Sequence, residues 1–193
     1  MALQIQLKKS VQVINYFARL TSSKKIGKVK LLALIYLTDR FHLRKFGQTL
    51  TNDQYIALEN GPVPTTIKKI VEQHFGLIST DECYLIDFID RPAKDQNIRS
   101  VEETDMSIFS AEEIETVEFV AANFGRMGRN DLIALAQSFT EWQKQSSKII
   151  KDSTDDIKID LLDFFIDSPS ENKFCAFSEG HVAQTKKIYL ENR

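Results

Sequence analysis

Residues Leu31 to Leu37, LLALIYL, form an unbroken apolar run that constrains the fold more than any other feature of the chain. With helical spacing this run leaves no polar face for nearly two turns, and a helix that is apolar all round must be covered on several sides. It therefore predicts a buried central helix over about Lys28 to Phe46, with Leu32, Ile35 and Tyr36 in the core and other helices packed around it. Gly47 is well placed to end this helix in the left-handed conformation. At 193 residues the chain is long enough to bury such an element, and it is expected to form one domain over 1–193 with an exposed, flexible connection near 146–158.

The elements around this helix are read from periodicity and punctuation. Leu3, Leu7, Val11, Ile14, Phe17 and Ala18 recur at three- and four-residue steps and predict a helix over 3–20. Tyr55 to Leu58 reads as a short extended piece. Gly61-Pro62-Val63-Pro64 reads as a stiff bend presenting Val63, because each proline fixes its own φ and keeps its predecessor out of the helical region. Pro64 suits the first position of a helix running to Gln73. Cys83 to Asp90, CYLIDFID, is rich in β-branched and aromatic residues and predicts a strand, paired through the polar link RPAKDQ with a weaker strand at Asn97 to Glu103. Ser110 and Glu113 form a capping box for a helix to Phe124. Asn130 and Thr140 are expected to cap two further helices. An apolar segment at Ile159 to Ile166, read as a helix, and a weak helix over Ser178 to Asn192 complete a mostly α (α+β) bundle with a small β-hairpin or sheet.

Composition narrows the function classes. The chain is 42% hydrophobic and 27% charged, which excludes a wholly disordered chain. No apolar run reaches the ~18 residues needed to cross a bilayer, and the N-terminus lacks a signal-peptide pattern, so a cytoplasmic protein is expected. Cys83 and Cys175 stand alone and are expected to be free buried thiols. Residues 1–50 carry ten Lys/Arg against one acid, Asp39, while residues 76–120 carry twelve Asp/Glu against three Lys/Arg. Such polarisation either serves a partner or nucleic acid, or is absorbed where the two regions face each other or water. Lys24, Lys25, Lys28 and Lys30 cluster ahead of the central helix. With no arginine fork or aromatic among them, they read as a solvated loop, and strong specific DNA binding is not expected.

Polar chemistry concentrates at the end of the central helix, in Asp39, Arg40 and His42. Asp39 and His42 are three residues apart, a spacing that suits a structural polar pair; a general base or metal ligands would use the same spacing. No HExxH, phosphate-binding glycine loop or GxSxG elbow is present. The expectation is therefore a binding protein and not an enzyme, with no cofactor and no metal.

The stretch Leu34-Ile35-Tyr36-Leu37-Thr38-Asp39, His42-Leu43, Gly47, Leu50-Thr51-Asn52-Asp53, Tyr55 and Gly61-Pro62-Val63-Pro64 resembles the signature of the Panacea domain, the SocA-like family of type II antitoxins. A second block, Leu132 to Trp142, resembles the family's late helix and tryptophan. The chain departs from the pattern at Ala33, where lysine is common, at Phe46 for tyrosine, at Asn52 for glycine, and at Gln137, where histidine is common. The resemblance implies a mostly helical domain in a bacterial or prophage-borne cytoplasmic protein that neutralises a cognate toxin by direct contact. It also implies an alternative, an adaptor delivering the toxin to a ClpXP-type protease; the basic N-terminal third leaves a further one, less in keeping with the residues, a DNA-binding regulator. Asp53, Tyr55, Asn60, Gly61, Pro62, Val63 and Pro64 are the expected partner-binding residues.

Overall fold

The computed structural model describes residues 2–72, 79–92, 95–149, 156–168 and 176–192. In chain order the elements are α1 (Ala2–Arg19), β1 (Lys25–Gly27), α2 (Lys28–Phe46), β2 (Tyr55–Leu58), β3 (Gly61–Pro64), α3 (Thr65–Val71), α4 (Ser79–Phe88), β4 (Ile89–Asp90), β5 (Asn97–Ser100), α5 (Ala111–Phe124), α6 (Arg129–Ser138), α7 (Thr140–Ser146), β6 (Ile157–Ile159) and α8 (Glu179–Glu191), with short 3-10 turns at Met106–Ile108 and Leu161–Phe165. The fold is mostly helical, with two three-stranded antiparallel sheets ordered β1-β5-β4 and β3-β2-β6.

Helix α2 is the centre. Every residue from Leu31 to Arg44 is buried, and Leu31, Leu34, Ile35 and Tyr36 have no exposed surface. Helices α1, α5, α6 and α8, strand β3 and the turn at 161–165 all pack on it. Each such aliphatic side chain removed from water contributes roughly 1.5–3 kcal/mol. Gly47 ends α2 at φ 77, with its amide donating to the Leu43 carbonyl at 2.9 Å. A Cβ here would meet the Thr185 carbonyl oxygen at 2.7 Å and the Ile188 Cβ at 2.9 Å. The glycine therefore serves both the turn and the seat of α8.

Several expectations need correction. Residues 79–88 are helical, and only Ile89 and Asp90 of the expected strand are extended, pairing with Ser100 and Arg99 of β5. Leu85 and Ile89 are buried and Ile86 is exposed, a four-residue repeat that overrides the β-propensity of the individual residues. Cys83 is exposed on that helix; Cys175 lies outside the described residues. Pro64 is the N-cap of α3 and the last residue of β3, one position earlier than expected. Gly128 and Phe139, not Asn130 and Thr140, occupy the N-cap positions of α6 and α7. Residues 159–166 are strand and 3-10 turn, because Ile159 pairs with Tyr55 and Asp160 then caps the turn. Part of the connection expected to be flexible, 150–155, lies outside the described residues, and Ile157–Ile159 is built into a sheet.

The two oppositely charged regions face each other. Lys9 pairs with Glu113 at 2.6 Å, Arg19 with Glu103 and Lys45 with Glu115. The capping box at the start of α5 is present, Ser110 accepting from the Glu113 amide and Glu113 from the Ser110 amide.

Candidate functional site

Asp39, Arg40 and His42, in the polar second half of α2, are directed at three different neighbours. Asp39 turns to the loop that follows the helix. Its carboxylate accepts from the amides of Leu50 and Thr51, both at 2.9 Å, from the Thr51 hydroxyl, and from the Tyr55 hydroxyl at 2.7 Å. Burial pushes its pKa up to about 6 despite these donors. Tyr55, buried beside it, is raised well above the ordinary tyrosine value by burial and by the Asp39 charge.

Arg40 and Glu141 form a second centre. The guanidinium Nε donates to Glu141 Oε1 at 2.8 Å, the Tyr36 hydroxyl donates to the same oxygen at 2.5 Å, and the guanidinium lies 3.8 Å from the Phe139 ring centroid. The two charged side chains are 1% and 0% exposed, so each depends on the other to be tolerated in the interior. This ion pair ties α2 to α7 across a hundred residues of sequence.

His42 turns the other way, toward α5. Thr116 donates its hydroxyl to the Glu112 carbonyl at 2.8 Å, so at its 2.8 Å contact with His42 Nδ1 it acts as acceptor. The imidazole therefore carries its proton on Nδ1. Burial lowers its pKa to about 4, and the ring is neutral at pH 7. Asp39 and His42 thus belong to separate networks, and the expected pairing between them is not present. Among the described residues no group of His, Cys, Asp or Glu could hold a metal ion.

The loop from Gly47 to Gln54 is fixed at both ends. Asp39 holds Leu50 and Thr51. Asp53 accepts from the Thr66 and Ile67 amides at 3.0 and 2.9 Å and from the Thr65 hydroxyl at 3.1 Å. It thereby caps α3 in place of Pro64, which has no side chain able to do so. Between these anchors Asn52 is exposed in the left-handed region at φ 51. Concavities of about 680 and 730 Å³ lie on the two sides of the loop and share Asn52, Leu161 and Tyr189 in their walls.

The expected bend Gly61–Pro64 is the second strand of a hairpin, with Tyr55 opposite Pro64, Ile56 opposite Val63 and Leu58 opposite Gly61. The two prolines are accommodated because β3 is an edge strand. All four residues are buried, so Val63 packs inward at 7% exposure and is not presented to solvent. Gly61, at φ 114, brings β3 close to α6, where an added Cβ would lie 3.2 Å from that of Ala136. Of the residues expected at a partner surface, Asn60 in the hairpin turn is exposed, while Asp53, Tyr55, Gly61, Pro62, Val63 and Pro64 are buried. The turn is clasped from behind: Gln137 donates to the Glu59 carbonyl at 2.7 Å, and the Trp142 indole to the Leu58 carbonyl at 2.9 Å.

Sequence reasoning did not find Tyr36, Glu141 or Thr116 as members of these networks, and placed Arg40 only in the polar cluster that ends the helix. Arg40 and Glu141 each carried a signal: a cation three residues beyond the end of the apolar run, and an acid beside the tryptophan of the second motif block.

The family model described as "Antitoxin SocA-like, Panacea domain" matches residues 31–143. That span contains α2 from Leu31 onward, the anchored loop, the hairpin and the clasping residues Gln137, Glu141 and Trp142. No curated protein and no solved structure matches the chain.

Proposed function

From the premise that this chain belongs to the SocA-like Panacea antitoxin family, we propose that it is the antitoxin of a type II toxin–antitoxin system and neutralises a cognate toxin by direct protein contact. The observation that carries this reading is the extent of the match, residues 31–143, which takes in the buried networks together with the loops they hold. The toxin contact is the rim formed by the loop around Asn52 and the hairpin turn at Asn60. Asn60 touches the partner. Asp53, Tyr55, Gly61, Pro62, Val63 and Pro64 serve the contact by fixing its shape, since a loop already held by Asp39 and Asp53 loses little conformational freedom on docking. The chain acts as a binding protein and performs no chemistry of its own.

The test is co-expression with the product of the adjacent small gene, read as rescue of growth and as co-purification of the two proteins. Asn52→Lys and Asn60→Lys together are expected to abolish both with an unchanged melting temperature. Absence of rescue and co-purification with the product of either neighbouring gene would contradict the antitoxin reading. A toxin level that falls only in cells with an active ClpXP-type protease would identify delivery, not masking, as the mode of neutralisation.

A further inference from the structure

The ten basic residues of the first fifty divide into two sets. Lys9, Arg19, Arg40, Arg44 and Lys45 are ion-paired with Glu113, Glu103, Glu141, Asp167 and Glu115, and the Lys8 ammonium lies 5.0 Å from the Tyr84 ring centroid. Lys24, Lys25, Lys28 and Lys30 have no acidic partner among the described residues. They fall within seven residues, spanning the turn before β1, β1 itself and the first turn of α2.

The surroundings of this set add to its positive potential. Lys25 stands directly opposite Arg99 in the β1–β5 register, a like-charge pairing that costs stability. Arg99 has its own acid, Asp95 at 3.1 Å, and Asp90 stands opposite it on its other flank; Lys25 has neither. Lys24 is exposed in the left-handed region at φ 51. The segment is nevertheless fixed: the Ser100 amide donates to the Lys24 carbonyl and the Thr21 hydroxyl to the Lys25 carbonyl, both at 2.9 Å. The backbone that carries these lysines is fixed, and no acid among the described residues compensates them, so a partner can supply that charge from outside.

We propose that Lys24, Lys25, Lys28 and Lys30 form a docking site for a short acidic polypeptide segment. The size of the patch and its rim select this partner over nucleic acid. The four lysines fall within seven residues, on and beside the edge strand of their sheet. Beyond them lie Asp90, Asp95, Glu102 and Glu103, on and around the neighbouring strands β4 and β5. A duplex extending across that surface would bring its phosphates against those carboxylates, whereas a few consecutive Asp or Glu side chains fit within the lysines. The site lies outside the matched segment, which begins one residue after Lys30, and it does not depend on the toxin reading.

The test uses the full chain and a fluorescent octaglutamate peptide, with octaglutamine and a short duplex DNA as comparison probes, followed by anisotropy at low salt. Octaglutamate binding is expected to weaken about tenfold or more in the variant carrying Lys24→Gln, Lys25→Gln, Lys28→Gln and Lys30→Gln. A control variant with Lys148, Lys158, Lys186 and Lys187 changed to Gln, which alters net charge equally, is expected to bind as the unmodified chain does. If the fourfold variant melts early, Lys24→Gln with Lys25→Gln, both at exposed positions, carries the same comparison. The proposal is overturned if the peptide binds equally well without these lysines, if the control variant loses binding to the same extent, or if duplex DNA binds more tightly than the peptide through the same residues.

Discussion

The two halves of α2 are equally buried but held in different ways. From Leu31 to Leu37 the contacts are mainly apolar and come from all sides. From Asp39 to Arg44 the side chains are mostly polar, and each is matched to a named group elsewhere: Asp39 to Leu50, Thr51 and Tyr55; Arg40 to Glu141; His42 to Thr116; Arg44 to the Phe164 carbonyl at 2.8 Å. Apolar burial is non-directional and stabilises the helix without dictating what surrounds it. Buried hydrogen bonds are directional and costly to leave unmade. The first half therefore supplies stability, while the second specifies where the loop, the hairpin and α7 must sit.

The largest expected effect falls in the second half. Glu141→Ala removes the buried carboxylate that the Arg40 guanidinium and the Tyr36 hydroxyl share and should cost about 3–5 kcal/mol in chemical denaturation. Replacing both partners, Arg40→Met with Glu141→Leu, should cost less than the single change, because no unpaired charge remains. A double variant as unstable as the single one would mean that the pair is net stabilising and that the contrast between the halves is drawn wrongly. In the first half, Ile35→Ala should cost ~2–5 kcal/mol as a buried large-to-small change, without altering the geometry of the loop. A loss of a few tenths would remove that half from the centre of the core.

The pH dependence separates Asp39 from His42. Asp39, raised from 3.8 to about 6, binds its proton more tightly in the folded state, so its contribution to stability falls as pH rises through that interval. His42, lowered from 6.5 to about 4, binds its proton more tightly in the unfolded state, so its contribution falls as pH drops through that interval. Each term is on the order of 3 kcal/mol, and they oppose each other. Urea midpoints measured from pH 4 to 7 should therefore respond to these two groups weakly in the unmodified chain. They should fall steeply on acidification in Asp39→Asn and rise on acidification in His42→Gln. Parallel profiles in the two variants would contradict the assignment. The smallest effect is expected for Gln137→Ala, about 1 kcal/mol, from loss of one hydrogen bond to the hairpin turn, read as a shift in melting temperature.

The first half was legible in the sequence because its signal is local. Lys28 to Phe46 and the Gly47 terminus follow from a continuous run and its punctuation, and the structure has those limits. The second half was legible only as a concentration of polar residues. Arg40 meets Glu141 in the core, and Gln137 and Trp142 hold the hairpin turn; no periodicity joins residues so far apart. Val63 was misplaced for a related reason. Two prolines announce a rigid backbone, but whether a rigid strand faces water depends on α2 and α6 lying over it. At 83–90 the residue types favoured a strand while the spacing of Tyr84, Leu85, Phe88 and Ile89 favoured a helix, and the spacing was the better guide.

Amide hydrogen exchange at Leu50 and Thr51 tests most directly the claim that the buried polar half of α2 shapes the loop. Both amides donate to Asp39 Oδ1. In the unmodified chain they should be strongly protected for residues outside helices and strands. In Asp39→Asn they should lose that protection, while the Leu34 and Ile35 amides of the same helix keep theirs. Rapid exchange at Leu50 and Thr51 in the unmodified chain, or protection unchanged by the substitution, would contradict the account.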